Sequence, residues 1–196
     1  MPAVTKLTIA KLGLGRIASS VISSIDSPRS VLERRVADGY DVWRDSELKK
    51  HDWVFAKSTA LMTVTLPARA GNDRPYRFEL PTDFLRPLRT KRARWEIEGT
   101  ALYNTTQDDF YLDYIARVPE SNFPADFQQV LGARIAIECA EVATQSASKL
   151  QVARDMYEDA INDARRNNAF TVEPSDNTLD DYNSSWVYGR YNHGGL

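Results

Sequence analysis

The sequence predicts an α+β fold, consisting of a mainly helical bundle, a small antiparallel β-region and an extended C-terminal arm. Three observations lead to this prediction. Apolar residues recur at helical spacing towards both ends of the chain, they alternate with polar residues in its middle, and both patterns stop near residue 170. With 196 residues, of which 42% are hydrophobic, the chain is long enough for one domain, predicted over residues 1–170, and an arm over residues 171–196.

Two helices are predicted before the β-region, over residues 4–24 and 28–50. The apolar residues of the first recur every three or four positions: Leu7, Ala10, Leu14 and Ile17. The first 25 residues also lack acidic side chains, as a mitochondrial targeting peptide does, but the helical spacing favours a structural helix. The second helix is predicted to begin at Ser27-Pro28, because serine suits the N-cap and proline the first helical position. Its apolar stripe begins with Val31 and Val36.

A β-region is predicted over residues 58–118. Apolar and polar residues alternate around Tyr76–Leu80, around Trp95–Glu98 and again over Phe110–Tyr114, which is the period of a half-buried strand. Pro119 ends the pattern. We therefore expect a small antiparallel sheet between the two pairs of helices.

Two more helices are predicted over residues 124–145 and 147–168, forming an antiparallel hairpin. The apolar residues of the first repeat at steps of three and four: Phe127, Leu131, Ile135, Cys139 and Val142. The predicted core of the whole fold combines residues from three of the helices and from the segment before the β-region: Trp43, Trp53, Phe127, Leu131, Ile135, Leu150 and Tyr157.

Composition argues against several classes of function. The chain has 25 basic and 27 acidic side chains, which does not suit a protein dedicated to nucleic-acid binding. A single cysteine excludes an intrachain disulfide, and with two histidines it makes a zinc site difficult to assemble. Serine, cysteine and histidine never occur in a recognisable nucleophile setting, and Glu96 and Glu98 suit the exposed face of a strand. We expect no enzymatic activity, no cofactor, no metal and no membrane partner.

A short glycine motif leaves one enzymatic alternative open. Gly13 and Gly15 begin a G-x-G-x-x-A pattern, which in a dinucleotide-binding fold lies between a strand and a helix. Residues 28–50 read as an amphipathic helix where that fold needs a second strand. The pattern therefore favours an N-terminal helix over a nucleotide or NAD site.

The strongest local charge lies in Arg86–Arg94, which contains no acidic residue. Its five cations are Arg86, Arg89, Lys91, Arg92 and Arg94. Three interpretations remain open: contact with nucleic-acid phosphates, contact with an acidic protein surface, or a solvated loop. A DNA-binding module is therefore the second functional alternative.

The arm over residues 171–196 is too poor in aliphatic residues to fold alone. It nevertheless carries a cluster of aromatic residues with one cation, which suits a segment that orders on a partner. These candidate partner-binding residues are Tyr182, Trp186, Tyr188, Arg190 and Tyr191.

A series of short motifs resembles the tail tubular protein A family, the head-to-tail adaptors of short-tailed bacteriophages. The resemblance covers nearly the whole chain and depends on the order and spacing of the motifs. In chain order they are Leu7 to Ile17 with Ser19-Ser20, Tyr40-Asp41 with Arg44-Asp45, Trp53 to Ala56, Leu80 to Arg86, Trp95 to Gly99, Tyr114-Ile115 and Phe123 to Phe127. The paired helices up to Ala164 follow them.

The resemblance implies a structural virion protein at the portal vertex, assembled in the host cytoplasm. Identical subunits would form a ring, dodecameric in this family, between the portal protein and a tail nozzle resembling tail tubular protein B. Genomic DNA would pass through the lumen without sequence-specific contacts. The arm would dock on the portal or on a neighbouring subunit.

A ring interface between identical subunits needs two different complementary patches. The basic segment Arg86–Arg94 is one candidate. Acidic residues on the last helix form the other: Asp155, Glu158, Asp159 and Asp163. We predict that these charged patches meet between subunits, and that the free protein is a monomer before assembly.

Overall fold

The computed structural model describes residues 4–17, 22–67, 73–88 and 95–171. Within these ranges the fold is α+β, with four α-helices and two small antiparallel sheets. The helices are α1 (Lys6–Leu14), α2 (Val31–Lys49), α3 (Ala125–Thr144) and α4 (Ala147–Phe170). The strands are β1 (Lys57–Met62), β2 (Val64–Pro67), β3 (Tyr76–Glu79), β4 (Phe84–Pro87), β5 (Glu96–Glu98), β6 (Ala101–Asn104) and β7 (Phe110–Ala116).

The first helix is shorter than the sequence predicted. α1 begins after the N-cap Thr5, whose side chain and that of Thr8 form a capping box, and it ends at Leu14. The prediction of a helix to residue 24 is wrong, because residues 15–17 form a turn and residues 22–24 are not helical. The backbone N–H groups of Ser23 and Ser24 donate instead to the Glu33 carboxylate, at 2.7 and 3.3 Å.

The second helix begins three residues later than predicted. Ser30 is its N-cap, and Ser30 and Glu33 form a capping box in which each side chain accepts from the other's backbone N–H. Glu33 also accepts from the N–H of Arg29 at 2.7 Å. These bonds satisfy donors at the helix start, so the Ser30 signal prevails over Ser27-Pro28. The two later helices lie within two residues of their predicted bounds.

The β-region contains two sheets where one was expected. In the first sheet β7 lies between β1 and β4, and in the second the order is β2, β3, β6 and β5. Ser58 is opposite Tyr114 in the first sheet, and Phe78 is opposite Leu102 in the second. The alternation of apolar and polar residues identifies strands but does not show which strands pair. The division into two sheets could therefore not be predicted.

The main core lies among the helices and against the first sheet. Trp53, Phe127, Leu131 and Ile135 are buried there, as predicted, and so is Trp43. The other two predicted core residues, Leu150 and Tyr157, are only partly buried and pack against the edge of this core. A second, smaller core lies in the β-region, where its buried residues are Met62, Phe78, Leu102, Leu112, Tyr114 and Ala116.

α3 is the central helix and packs on α1, α2 and α4. Two residues, Gln145 and Ser146, join α3 to α4, and Gln145 adopts the left-handed conformation with φ 50°. At the other end, Asn167 donates to the Asp126 carboxylate at 2.8 Å. Cys139 is buried in the middle of α3, and burial raises the pKa of its thiol to about 12.

Candidate interaction surfaces

Arg86 lies in β4 and is held by the end of α2. Its Nε donates to the backbone carbonyl of Lys49 at 2.7 Å, and its Nη2 pairs with the Asp52 carboxylate. The hydrogen bond from Arg86 lowers the pKa of Asp52. Arg86 therefore ties the first sheet to α2. The other four predicted cations, Arg89, Lys91, Arg92 and Arg94, lie outside the described residues.

The acidic residues predicted on the last helix lie on the exposed side of α4. Asp155, Asp159 and Asp163 follow one another at four-residue intervals and form a stripe, with Glu158 exposed beside it. Gln151 donates to Asp155 at 2.8 Å, and Arg166 pairs with Asp163 at 3.5 Å. We call these four carboxylates the α4 acidic stripe. A solvent-exposed stripe of this kind can meet a cationic surface on another subunit.

Arg44 is the centre of an ion-pair network that the sequence did not predict. Its side chain is 9% exposed, and its guanidinium lies 3.1 Å from Asp41, 2.9 Å from Asp45 and 3.3 Å from Glu120. Lys6 of α1 reaches Asp41 at 2.8 Å, and Arg117 after β7 reaches Asp45 at 2.7 Å.

These contacts shift the pKa values of two groups in the network. The hydrogen bond from Lys6 lowers the pKa of Asp41, and the hydrogen bond to Asp45 raises the pKa of Arg117. The network fastens α2 to α1 and to the chain after β7. Its central residues, Asp41, Arg44 and Asp45, belong to the Tyr40-Asp41 and Arg44-Asp45 motifs of α2.

A buried carboxylate joins α2 to α4. Glu47 has no exposed side-chain surface and accepts from Lys50 at 2.7 Å and from the Tyr157 hydroxyl at 2.8 Å. Its backbone carbonyl accepts from the Trp53 indole at 3.0 Å. Burial lowers the pKa of Lys50, but the bonds to Glu47 and Tyr157 outweigh it and raise the pKa overall. The sequence around Glu47 is that of an ordinary amphipathic helix. The buried position of this glutamate could therefore not be predicted.

Two distant aromatic motifs meet beside α4. The Trp53 and Phe127 rings lie 5.2 Å apart in an edge-to-face arrangement, and the Phe55 and Phe123 rings lie 5.9 Å apart. A pocket of about 240 Å³ adjoins them. The last described residue, Thr171, lies at its rim.

A second pair of motifs meets at the first sheet. Tyr114 of β7 donates its hydroxyl to the Asp83 carboxylate at 3.0 Å, and its ring lies 5.6 Å from that of Phe84. Asp83 and Phe84 belong to the Leu80–Arg86 motif, so residues far apart in sequence form one contact.

A groove lies between the start of α2, the second half of α3 and the start of α4. Its volume is about 1000 Å³. Val31 is 68% exposed and Val142 is 43% exposed, although both belong to apolar stripes by sequence. Leu150 adds a partly buried apolar side chain, and Arg35, Glu138, Glu141 and Arg154 surround them. We call this feature the helical groove.

Gly13 and Gly15 lie at the C-terminal end of α1. Residues 6–14 are helical, so Gly13 lies within a helix and Gly15 follows it, where a dinucleotide-binding loop would follow a strand. A Cβ on Gly13 would lie 1.9 Å from the carbonyl oxygen of Gly132 in α3. The first glycine therefore permits close helix packing, and the arrangement that the NAD alternative requires is not formed.

The remaining polar candidates show no arrangement typical of a catalytic centre within the described ranges. Glu96 of β5 is exposed and pairs with Arg74. The His51 ring meets Trp53 edge-on at 4.9 Å, and burial lowers its pKa. Residues 4–17, 22–67, 73–88 and 95–171 contain no group of three or more side chains able to hold a metal ion.

The same described ranges hold no helix with the length and apolar character needed to cross a membrane. The predicted arm residues lie outside them: Tyr182, Trp186, Tyr188, Arg190 and Tyr191.

Comparison of the chain with models of protein families and with curated proteins gives no match. The resemblance to phage adaptors therefore depends on the motifs in the sequence.

Proposed function

We propose that this chain is a structural virion protein, a head-to-tail adaptor of a short-tailed phage. Identical subunits form a ring between the portal protein and the tail nozzle, and genomic DNA passes through the lumen. The chain has no enzymatic role in this proposal. Its paired C-terminal helices form a hairpin, and residues 171–196 act as an arm that binds the portal or a neighbouring subunit.

The observation that carries the proposal is the order and spacing of the family motifs along the chain, and some of these motifs contact one another. Tyr114 donates to Asp83 at 3.0 Å, and the Trp53 ring lies 5.2 Å from Phe127. Each pair joins two motifs that are separated in sequence. The proposal depends on the order and spacing of the motifs, and these contacts show only that separated motifs lie together in the folded chain.

The exposed charges suit assembly into a ring. A heterologous interface needs two different patches on each subunit. The α4 acidic stripe is one such patch on the described surface. The segment with Arg89, Lys91 and Arg92 supplies the opposite charge, and electrostatic attraction between the two sets the register of neighbouring subunits.

The proposal is tested by negative-stain microscopy of the full-length chain mixed with portal rings. The wild-type chain is expected to add a layer of density to one face of the portal ring. A full-length variant with Trp186→Ala, Tyr188→Ala and Tyr191→Ala is expected to add none, because aromatic side chains are typical anchors of interfaces.

A matched control replaces polar residues of the same segment, Asn177→Ala and Asn183→Ala, and is expected to retain the added layer. Absence of the layer with the wild-type chain, at protein concentrations well above those needed for a stable complex, contradicts the adaptor role. A layer formed equally by the aromatic variant contradicts the role of the arm alone.

A further inference from the structure

We propose that, in the free protein, the aromatic part of the arm (residues 182–191) docks in the helical groove of its own subunit. The groove is large enough for this occupant. Its volume of about 1000 Å³ equals that of the larger clefts that bury small ligands, so several side chains of an extended segment fit.

The lining of the groove suits aromatic side chains with a few polar neighbours. Val31 and Val142 present apolar surface that is 68% and 43% exposed. Leu150 extends this surface along α4. Burying these side chains removes apolar area from water, which is the main driving force for docking of Trp186 and the flanking tyrosines.

The length of the arm suits this groove. The groove lies at the first turns of α4, which contains 24 residues and is about 36 Å long. The arm leaves from the opposite end, after Thr171. At roughly 3.3 Å per residue, about eleven extended residues cover the return. Tyr182 lies eleven positions after Thr171, so the aromatic residues begin where the chain reaches the groove.

The charges along α4 are compatible with an arm that runs back along this helix to the groove. Between Thr171 and Tyr182 the chain carries Glu173, Asp176, Asp180 and Asp181. Arg154 and Arg165 are exposed and lie eleven positions apart on α4, hence on one side of the helix. Glu158 flanks this line, so the electrostatic contribution is modest and the apolar contact provides most of the affinity.

A segment tethered to its own subunit binds at a high effective concentration, which favours this occupant over the arm of a second copy in dilute solution. The docking does not depend on the adaptor role, and its test contains no phage partner. Within the adaptor proposal, docking keeps the aromatic residues covered until the portal competes for them.

Thiol labelling of the full chain tests the docking. Cys139 is the only cysteine and is buried, so a cysteine introduced at Val142→Cys is the only accessible thiol in the folded chain. Its reaction with a small aromatic disulfide is followed with and without Trp186→Ser and Tyr188→Ser. If the arm occupies the groove for about nine-tenths of the time, the cysteine can react only during the remaining tenth. We therefore expect about tenfold faster labelling in the arm variant.

Val42→Cys is the matched control. Val42 is 68% exposed on α2 and does not line the groove, so its labelling rate is expected to be the same with either arm. Val31→Cys provides a second reporter inside the groove, and circular dichroism verifies that each variant is folded. Equal labelling of both groove cysteines with either arm overturns the proposal. Protection that disappears on hundredfold dilution also overturns it, because the occupant is then the arm of a second copy.

Discussion

Gly13 and Gly132 face each other where α1 crosses α3, so closely that a Cβ on Gly13 would lie 1.9 Å from the Gly132 carbonyl oxygen. The obstacle is backbone and cannot rotate away. Gly13→Ala is therefore expected to lower the free energy of unfolding by about 1–3 kcal/mol, through displacement of α1. Urea denaturation measures the change.

Gly15→Ala is the control for this prediction. Gly15 has helical dihedral angles, and the one close neighbour of an added Cβ is the Lys11 carbonyl of its own turn, at 3.0 Å. We expect a smaller loss of stability than for Gly13→Ala, because this contact is relieved by a shift of a few tenths of an ångström. Equal stability of the Gly13→Ala variant and the wild type would contradict the close crossing.

Glu33 predicts a specific pH dependence of stability. Backbone hydrogen bonds from Ser23 and Arg29 lower its pKa below the usual value of 4.5. Because the pKa is lowered in the folded state, the stabilisation is fully present above about 4.5 and is lost as the pH falls towards the folded-state pKa.

Glu33→Gln is expected to be less stable than the wild type at pH 7, and the difference should shrink as the pH falls below 4.5. Thermal unfolding of both proteins between pH 3 and pH 7 measures it. Glu141→Gln, at an exposed position on α3, serves as the control and should leave stability unchanged. A difference that is independent of pH would show that Glu33 acts only through its shape.

The bond between Glu47 and Tyr157 predicts a graded loss of stability. Tyr157→Phe removes a hydroxyl that donates to Glu47 at 2.8 Å and is expected to cost about 1 kcal/mol. Glu47→Ala also leaves Lys50 without its carboxylate and is expected to cost about 2–3 kcal/mol. Lys50 is partly exposed and regains water, which keeps this cost below that of a fully buried pair.

Urea denaturation of both variants checks this order. Asp163→Asn breaks an exposed pair with Arg166 on the same helix and is the control, with an expected cost below about 0.5 kcal/mol. A smaller effect for Glu47→Ala than for Asp163→Asn would show that the buried contacts do not stabilise the fold.

Charge reversal tests the proposed ring interface. Arg89→Glu, Lys91→Glu and Arg92→Glu together are expected to reduce ring formation on the portal and to make the remaining rings dissociate at lower salt. Asp155→Lys, Asp159→Lys and Asp163→Lys in the same chain should restore assembly by exchanging the two charges. Arg34→Glu, on the exposed side of α2, is the control. Unchanged ring formation in the first variant would refute the pairing.

The helices of this protein were predictable, and their contacts were not. α3 and α4 were predicted within two residues, because each has a continuous apolar stripe and a clear start. The predicted extension of the first helix to residue 24 was wrong, because residues 15–17 form a turn and the N–H groups of Ser23 and Ser24 donate to Glu33, a residue of the next helix. Local propensity contains no information about such a partner.

Some features of the candidate surfaces were likewise predictable from the sequence, and others were not. The structure places the α4 acidic stripe on an exposed side of the helix, since residues four apart share one side, and its role as an interface stays a prediction. The network around Arg44 and the buried Glu47 could not be predicted, because their partners lie on other elements.

The sequence by itself determined the fold class, the presence of four helices, the strands β3, β5 and β7, and the composition of the charged and aromatic segments, because these depend on neighbours along the chain. Only the tertiary structure decided that the strands divide into two sheets and that Gly13 serves helix packing. It also decided that Val31 and Val142 remain exposed beside a groove. The physical reason is that burial depends on which surfaces the neighbouring elements cover, and those elements are distant in sequence.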